Sequence, residues 1–534
     1  MKKLIGVIGI ITFLSMFTNA QNQSNKVDIK WGNEIKISRR KTLSSLLGHD
    51  ANGFYAIQRE QKGLFSRSSE LTLDRYDSNA NQVKSVDLNL TDGKNDREYE
   101  KIIYIKGKYF LFTSYPDKKT KLNTLYVQTI DMDALAPNND SRKIADIDYS
   151  GNRSSNNGNF MVTLSNDASK ILVFYTLPFE RGEKEKFGFS VFDGSMNPIW
   201  SQNITLPYNN ELFDIERYRV ENNGDIYLQC TVYKEKRRKK RHGEPNYQYT
   251  ILHYKNGEQL ADEYKIDMSG KFITDLQFSV KSNQDIMCTG FFSDMGTYSI
   301  KGAYFTVIDG KTKEIKSQSF KEFSIDVLLE NLTERQQKKI EKKLEKGKEV
   351  ELYEYDLDNI ILREDGGALL AGEQYFMNAV TTTQYVNGVT TTTTNYYYNY
   401  NDIIVVDIDP SGQIGWVTKI PKRQNTVNDN GFFSSYAMCL IKDKIYFLFN
   451  DHPDNLLPET NETKKFKSFS GQKGSVVVLA ELSYDGKHTK EALFNSADAE
   501  VLIRPKVCSK ISSNEMIIYG QRKKTQRFAR VIFK

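Results

Sequence analysis

Cysteine and histidine are scarce in this chain, four and five among 534 residues. The histidines, His49, His242, His253, His452 and His488, have no second ligand at metal-binding spacing, so no metal centre is expected. Cys230, Cys288, Cys439 and Cys508 each interrupt an apolar run, and their spacing fits no zinc site or small disulfide framework. Two readings stay open for them, buried thiols acting as small hydrophobes, or at least one disulfide if the chain is exported. Also missing are G-x-S-x-G, H-E-x-x-H, the Walker loop and G-x-G-x-x-G, so the sequence implies no cofactor and names no catalytic residue. Beyond the first twenty residues no run is apolar enough to cross a bilayer.

That first segment has its own logic. Lys2 and Lys3 precede an apolar stretch from Leu4 to Phe17, and Thr18-Asn19-Ala20 follows. Fourteen apolar residues span a membrane poorly, so residues 1–20 read as a cleaved signal peptide and 21–534 as one mature domain. No cysteine follows the cleavage point, which removes the bacterial lipoprotein option. Export to a periplasm, or to the extracellular side of a cell envelope, is the expectation. Loss of Lys2 and Lys3 lowers the formal charge from +6 to +4, too little for a nucleic-acid binder of this size.

Aromatic residues make up 12% of the chain, and Thr, Val and Ile recur in short runs, a composition that favours strands. The organisation emerges from the turns. Eight polar breaks, such as "HDANG", "ENNGD" and "REDGG", split one apolar run from the next. Seven more, such as "DSNANQ", "DGSMNP" and "DPSGQ", follow at some distance. Each unit is thus strand a, tight turn, strand b, variable loop, strand c, tight turn, strand d, with Asn, Asp and Gly expected to supply the positive φ angles. The last unit stops after strand c, whereas "DIKWGNEIKIS" near the mature N-terminus aligns with two d strands and puts Trp31, Trp200 and Trp416 at one position. The reading is an all-β fold, a β-propeller of four-stranded blades, eight in number with seven as the alternative, closed by its N-terminal strand.

In such a meander the a–b and c–d turns share one face, and the b–c loops and blade-to-blade links share the other. The long insertions fall on the second face. In the fourth unit, "YKEKRRKKRHGEP" concentrates Lys236, Arg237, Arg238, Lys239, Lys240 and Arg241, which are either a solvated tip or a patch for acidic lipid or protein. Between the fifth and sixth units a helical insertion, 324–347, has capping-box spacing at Thr333 and Gln336, an Ile340–Leu344 stripe and a stop at Gly347, and reads as a flap on the disc. The sixth unit carries a long hairpin, 376–400, centred on Asn387-Gly388. Pairing outward from that turn sets Tyr385 opposite Thr390, Met377 opposite Tyr398 and Tyr375 opposite Tyr400, so that Tyr375, Tyr385, Tyr396, Tyr398 and Tyr400 share one side.

The strings "ERQQKKIEKKLEKGKEVELYEYDL", "GGALLAGEQYF" and "YYYNYNDIIVVDIDPSGQIGWVTKIPKRQ" resemble a family of exported β-propeller proteins of Bacteroidetes-type bacteria. That resemblance implies a cell-envelope or secreted setting and carries over no activity. The functional expectation is a non-catalytic propeller that binds a protein or envelope component through its insertion-rich face; glycan binding or cleavage is the alternative. No nucleic-acid partner and no transmembrane segment in the mature chain are expected.

Overall fold

The computed structural model describes residues 24–61, 69–150, 156–235, 240–241, 244–330, 332, 334–363, 365–386, 389–457, 466–471 and 474–534. The leader, Asn387-Gly388, Thr333 and Lys236–Lys239 of the basic loop lie outside this set, as do the side chains of Lys240 and Arg241.

Among the described residues, eight antiparallel sheets have four or more strands. Numbered in chain order, sheet 1 spans 41–87, sheet 2 98–148, sheet 3 159–209, sheet 4 213–265, sheet 5 272–322, sheet 6 355–420 and sheet 7 437–495. Sheet 8 joins residues 502–533 to the N-terminal strand Val27–Trp31. In sheets 1, 3, 4, 5 and 7 spatial order equals chain order, a to d. The central b and c strands are short runs of β-branched and aromatic residues, such as Ile226–Tyr233 and Ile286–Ser293, buried along nearly their whole length because both faces meet neighbouring sheets. Eight apolar clusters each span two consecutive sheets. The last of them packs Ile517, Tyr519 and Phe528 of sheet 8 on Phe54 and Tyr76 of sheet 1. The sheets therefore close into a β-propeller, and the N-terminal strand supplies strand d of the final sheet: Val27 pairs with Phe533 and Trp31 with Ala529.

Turn chemistry follows the sequence in part. Asp77, Asp193, Asp309 and Asp409 open c–d turns by accepting backbone N–H groups two to four residues on. The left-handed residue, however, is often neither Gly nor Asn: Ala80 (φ 61°), Leu135 (56°), Met196 (64°) and Lys313 (64°) take that place. The aspartate caps and the flanking ladders hold these backbones where local preference alone would not.

One tryptophan, Trp31, departs from expectation. Trp200 and Trp416 lie on outermost strands and donate to turn carbonyls of the following sheet, at Gly224 (3.0 Å) and Tyr484 (2.8 Å). Trp31 instead packs edge-on against Phe494 of the preceding sheet, with ring centroids 5.0 Å apart. The register of the closing strand turns its ring to the opposite side of the sheet. All four cysteines are free thiols. Burial pushes the Cys230 and Cys288 thiols well up, as befits inert apolar packing.

Antiparallel pairing puts the a–b and c–d turns at one end of every sheet and the b–c loops and sheet-to-sheet links at the other. The second end carries the ribbon of sheet 6, the helical insertion and the link from Asp451 to Val476; on the first end, the longest connection among the described residues is 132–141. Two helices form the insertion, α1 (Ile325–Leu329) and α2 (Glu334–Leu344). Lys419 of sheet 6 donates to the carbonyls of Val327 (3.0 Å) and Glu330 (2.8 Å), which satisfies the end of α1 and staples it to the disc. Gly347, at φ 63°, closes α2.

Candidate binding face

Strands b and c of sheet 6 run far past their neighbours, Ala368–Val386 and Val389–Ile408. Their register continues unbroken from Tyr375↔Tyr400 through Met377↔Tyr398, Ala379↔Tyr396 and Tyr385↔Thr390 to Val386↔Val389. Alternation and the two-residue loop fix this pairing, as read from the sequence. A single bulge between Glu373 and Tyr375 marks where blade becomes ribbon.

The five tyrosines fall into two groups. At the root, Tyr400 is buried at 5% exposure and Tyr375 packs on it at 4.6 Å, so Tyr400 belongs to the interior and is no free contact surface. Farther out, Tyr398 donates to Asn430 at 2.7 Å. Tyr396 and Tyr385, at 42% and 74% exposure, stand in solvent with Met377, Val380 and Val389. Of the basic loop, Lys240 and Arg241 pair with Pro245 and Glu244 in a small hairpin; Lys236, Arg237, Arg238 and Lys239 are outside the described residues. The backbone of Lys240 and Arg241 thus belongs to the b–c connection of sheet 4, and the ribbon to that of sheet 6.

What sequence reading missed is the anchor under the ribbon. The strand Gln424–Val427 adds to the ribbon's root, pairing Tyr397↔Val427 through Tyr400↔Gln424. Beneath it, Lys422 and Glu373 form a fully buried ion pair. Lys422 Nζ also donates to the Tyr400 carbonyl (3.1 Å) and Gln424 Oε1 (3.2 Å), and Ser435 Oγ donates to the other Glu373 oxygen (2.7 Å). Gln424 in turn accepts from the Ser435 amide at 2.7 Å and donates to the Asn450 carbonyl at 2.8 Å. Lys506 of sheet 8 sits 4.5 Å from the Tyr400 ring centroid and donates to its hydroxyl at 3.0 Å. No local pattern joins these residues; the ring brings them together.

Beside this anchor the innermost strands open on the central channel. Several carry a β-bulge at the insertion end, leaving Glu100, Glu216 and Asp358 without ladder partners in sheets 2, 4 and 6. Each carboxylate instead takes a side-chain donor. Ser114 serves Glu100 (2.6 Å), Thr231 and Gln229 serve Glu216, and Tyr436 serves Asp358 (2.8 Å). Asp358 is exposed along the channel, yet desolvation by the walls first, then the Glu373 charge, push its carboxyl up to about 7. Burial likewise raises Asp275 to about 6, against a backbone donor from Leu357.

No protein-family model matches the chain, and no curated protein sequence matches it. Solved structures that align with the chain include β-propeller domains. The WD40 domain of SCAP from fission yeast is 10% identical, with a TM-score of 0.37, 95% of this chain and 98% of that one covered. The β-propeller domain of the Trilobed protease from Pyrococcus furiosus is 12% identical, with a TM-score of 0.32, 86% and 98% covered. An ulvan lyase of polysaccharide lyase family PL25 is 10% identical, with a TM-score of 0.35, 80% and 90% covered. These likenesses concern architecture and assign no activity.

Among the described residues, no helix is long and apolar enough to cross a membrane.

Proposed function

We propose that this chain is an exported, eight-bladed, non-catalytic propeller that binds a polypeptide of the cell envelope through its insertion-rich face, with the sheet 6 ribbon as the main contact. One observation carries the reading: from Val380 to Asn395 the ribbon bears no charge and no proline, its described side chains are largely exposed, and its root is locked into the disc. Exposed strand edges invite addition of another strand, and soluble proteins usually guard them with lysine, proline or bulges. This ribbon has none of those guards over that span. Tyr385 and Tyr396 add rigid, amphipathic contacts.

The test replaces residues 380–395 with an Asn-Gly turn, keeping Ala379 opposite Tyr396 and the Gln424–Val427 pairing intact. Envelope proteins cross-linked to wild type in the native host should be lost from the trimmed chain. An unchanged set with a folded trimmed chain sinks the reading.

Asp356 and Asp358 favour one other reading, glycan cleavage. A carboxyl pushed up to about 7, two residues from another raised by burial, is a pairing that glycoside hydrolysis uses. Release of reducing ends from polysaccharide by wild type and not by Asp358→Asn would support it; no release by wild type removes it.

A further inference from the structure

A cavity of 740 Å³ lies on the ring axis, lined by the innermost strands of five consecutive sheets, 2 to 6. Its size suits a small ligand. Four ionisable side chains line it, Lys101, Glu216, Arg217 and Arg219, and their partners decide what it offers a ligand.

Glu216 is turned against its own blade, with one oxygen taken by Thr231 and the other by Gln229 at 3.1 Å. Arg219 is matched, its Nε lying 3.2 Å from Glu221 and its NH1 donating to the Phe278 carbonyl at 3.2 Å. Arg217 is different. Its nearest carboxylate, Asp275, is 3.9 Å away, beyond hydrogen-bond reach, and its guanidinium makes no hydrogen bond among the described residues. Lys101 forms no ion pair among those residues and spends one donor on the Val162 carbonyl at 2.8 Å. Desolvation by the channel walls lowers its pKa. Lys101 and Arg217 come from the inner strands of sheets 2 and 4, and Thr163, on the sheet 3 strand between those two, also lines the cavity; Lys101 leans on sheet 3 and Arg217 toward sheet 5.

We propose that this axial cavity is a binding site for a small oxyanion-bearing molecule, with Arg217 gripping the carboxylate, sulfate or phosphate group and Lys101 neutralising it. Arg presents a planar fork of donors matched to such groups, and Lys a point charge. Thr163 and Gln277 offer hydroxyl and amide contacts to the rest of the ligand. The proposal does not depend on the ribbon, which lies outside the cavity.

Calorimetry of the mature chain at low ionic strength tests it, with glucuronate, inorganic sulfate, inorganic phosphate and neutral glucose as probes. At least one oxyanion should bind and glucose should not. Binding of glucuronate alone assigns a carboxylate source; binding of sulfate or phosphate alone assigns a sulfated or phosphorylated one. Arg217→Gln and Lys101→Met should each weaken the bound oxyanion roughly tenfold or more, whereas Arg219→Gln, whose cation is already matched, should weaken it less. Arg217→Lys keeps the charge and loses the fork, and should fall between wild type and Arg217→Gln. Unfolding curves without ligand establish that each variant is folded. No heat with any oxyanion, equal binding of glucose, or wild-type affinity in folded Arg217→Gln and Lys101→Met would each overturn the site.

Discussion

Lys422 and Glu373 show how a single residue can hold a functional element in place. Both are buried, and each is surrounded by donors or acceptors that suit its charged form. Removing one partner leaves the other buried and unpaired, so Lys422→Met should cost about 3–5 kcal/mol in urea unfolding. The double variant with Glu373→Leu should cost clearly less than the sum of the two single changes. Asp358 makes a second prediction, with opposite character. Its folded pKa, about 7, lies above the ordinary aspartate value, so the folded state holds a proton that the unfolded chain releases between about pH 4 and 7. Stability from this group is therefore greatest at low pH and is lost as pH rises through 7. Asp275 and Asp451, each raised to about 6 by burial, act in the same direction. The fall in melting temperature from pH 5 to pH 8 should be smaller in Asp358→Asn than in wild type; an identical fall rejects the assignment. Neither network was legible in the sequence. Lys and Glu are usually solvent-facing, so nothing local marks Lys422 and Glu373 as buried, and a bulge such as that at Asp358 leaves no compositional trace.

Legibility improves at the level of the element. The ribbon's register could be read residue by residue because Asn-Gly fixes the loop and period-two alternation fixes the faces. The strand Gln424–Val427 could not, since "RQNTVND" has no alternation and becomes a strand only because Tyr397–Tyr400 offer it an edge. For the helical insertion, the stop at Gly347 was readable, but the staple from Lys419 was not, being a contact across some 90 residues. Turns follow the same division. Gly486, in the c–d turn of sheet 7, has φ 79°, and its reason for being glycine is tertiary as well: an added Cβ would come within 2.8 Å of the Trp416 ring of sheet 6. Gly486→Ala should therefore combine backbone strain with displacement of that ring and destabilise by about 1–3 kcal/mol. A thermal unfolding curve that superimposes on wild type would show that the turn relaxes and the ring does not seat it.

Closure governs the whole molecule. Each sheet buries its two faces only against its neighbours, so the ring has no independent core to fall back on if one junction opens. The junction at sheet 8 is special because it joins the two ends of the chain: five residues pair from Val27↔Phe533 to Trp31↔Ala529, Ile35 and Lys36 continue the pairing to Gln526 and Thr525, and Arg527 donates to the Gly32 carbonyl. Val27 and Trp31 also pack into the cluster shared with sheet 7. Deleting residues 24–36 exposes the outer edge of strand c in sheet 8 and removes those ladder bonds together, a loss on the order of 5 kcal/mol from hydrogen bonds and apolar burial. The shortened chain should unfold at much lower urea concentration and should aggregate through the bared edge. Because the missing strand forms no hairpin with its partner, a peptide of residues 21–40 has no covalent constraint to satisfy and should restore stability when added in trans, in a concentration-dependent way. A peptide with Ile29→Pro, which removes a ladder donor in the middle of the strand, should fail to do so. Wild-type stability of the deleted chain, or equal rescue by both peptides, would mean that the ring is held by its remaining junctions and that the N-terminal strand is ornamental.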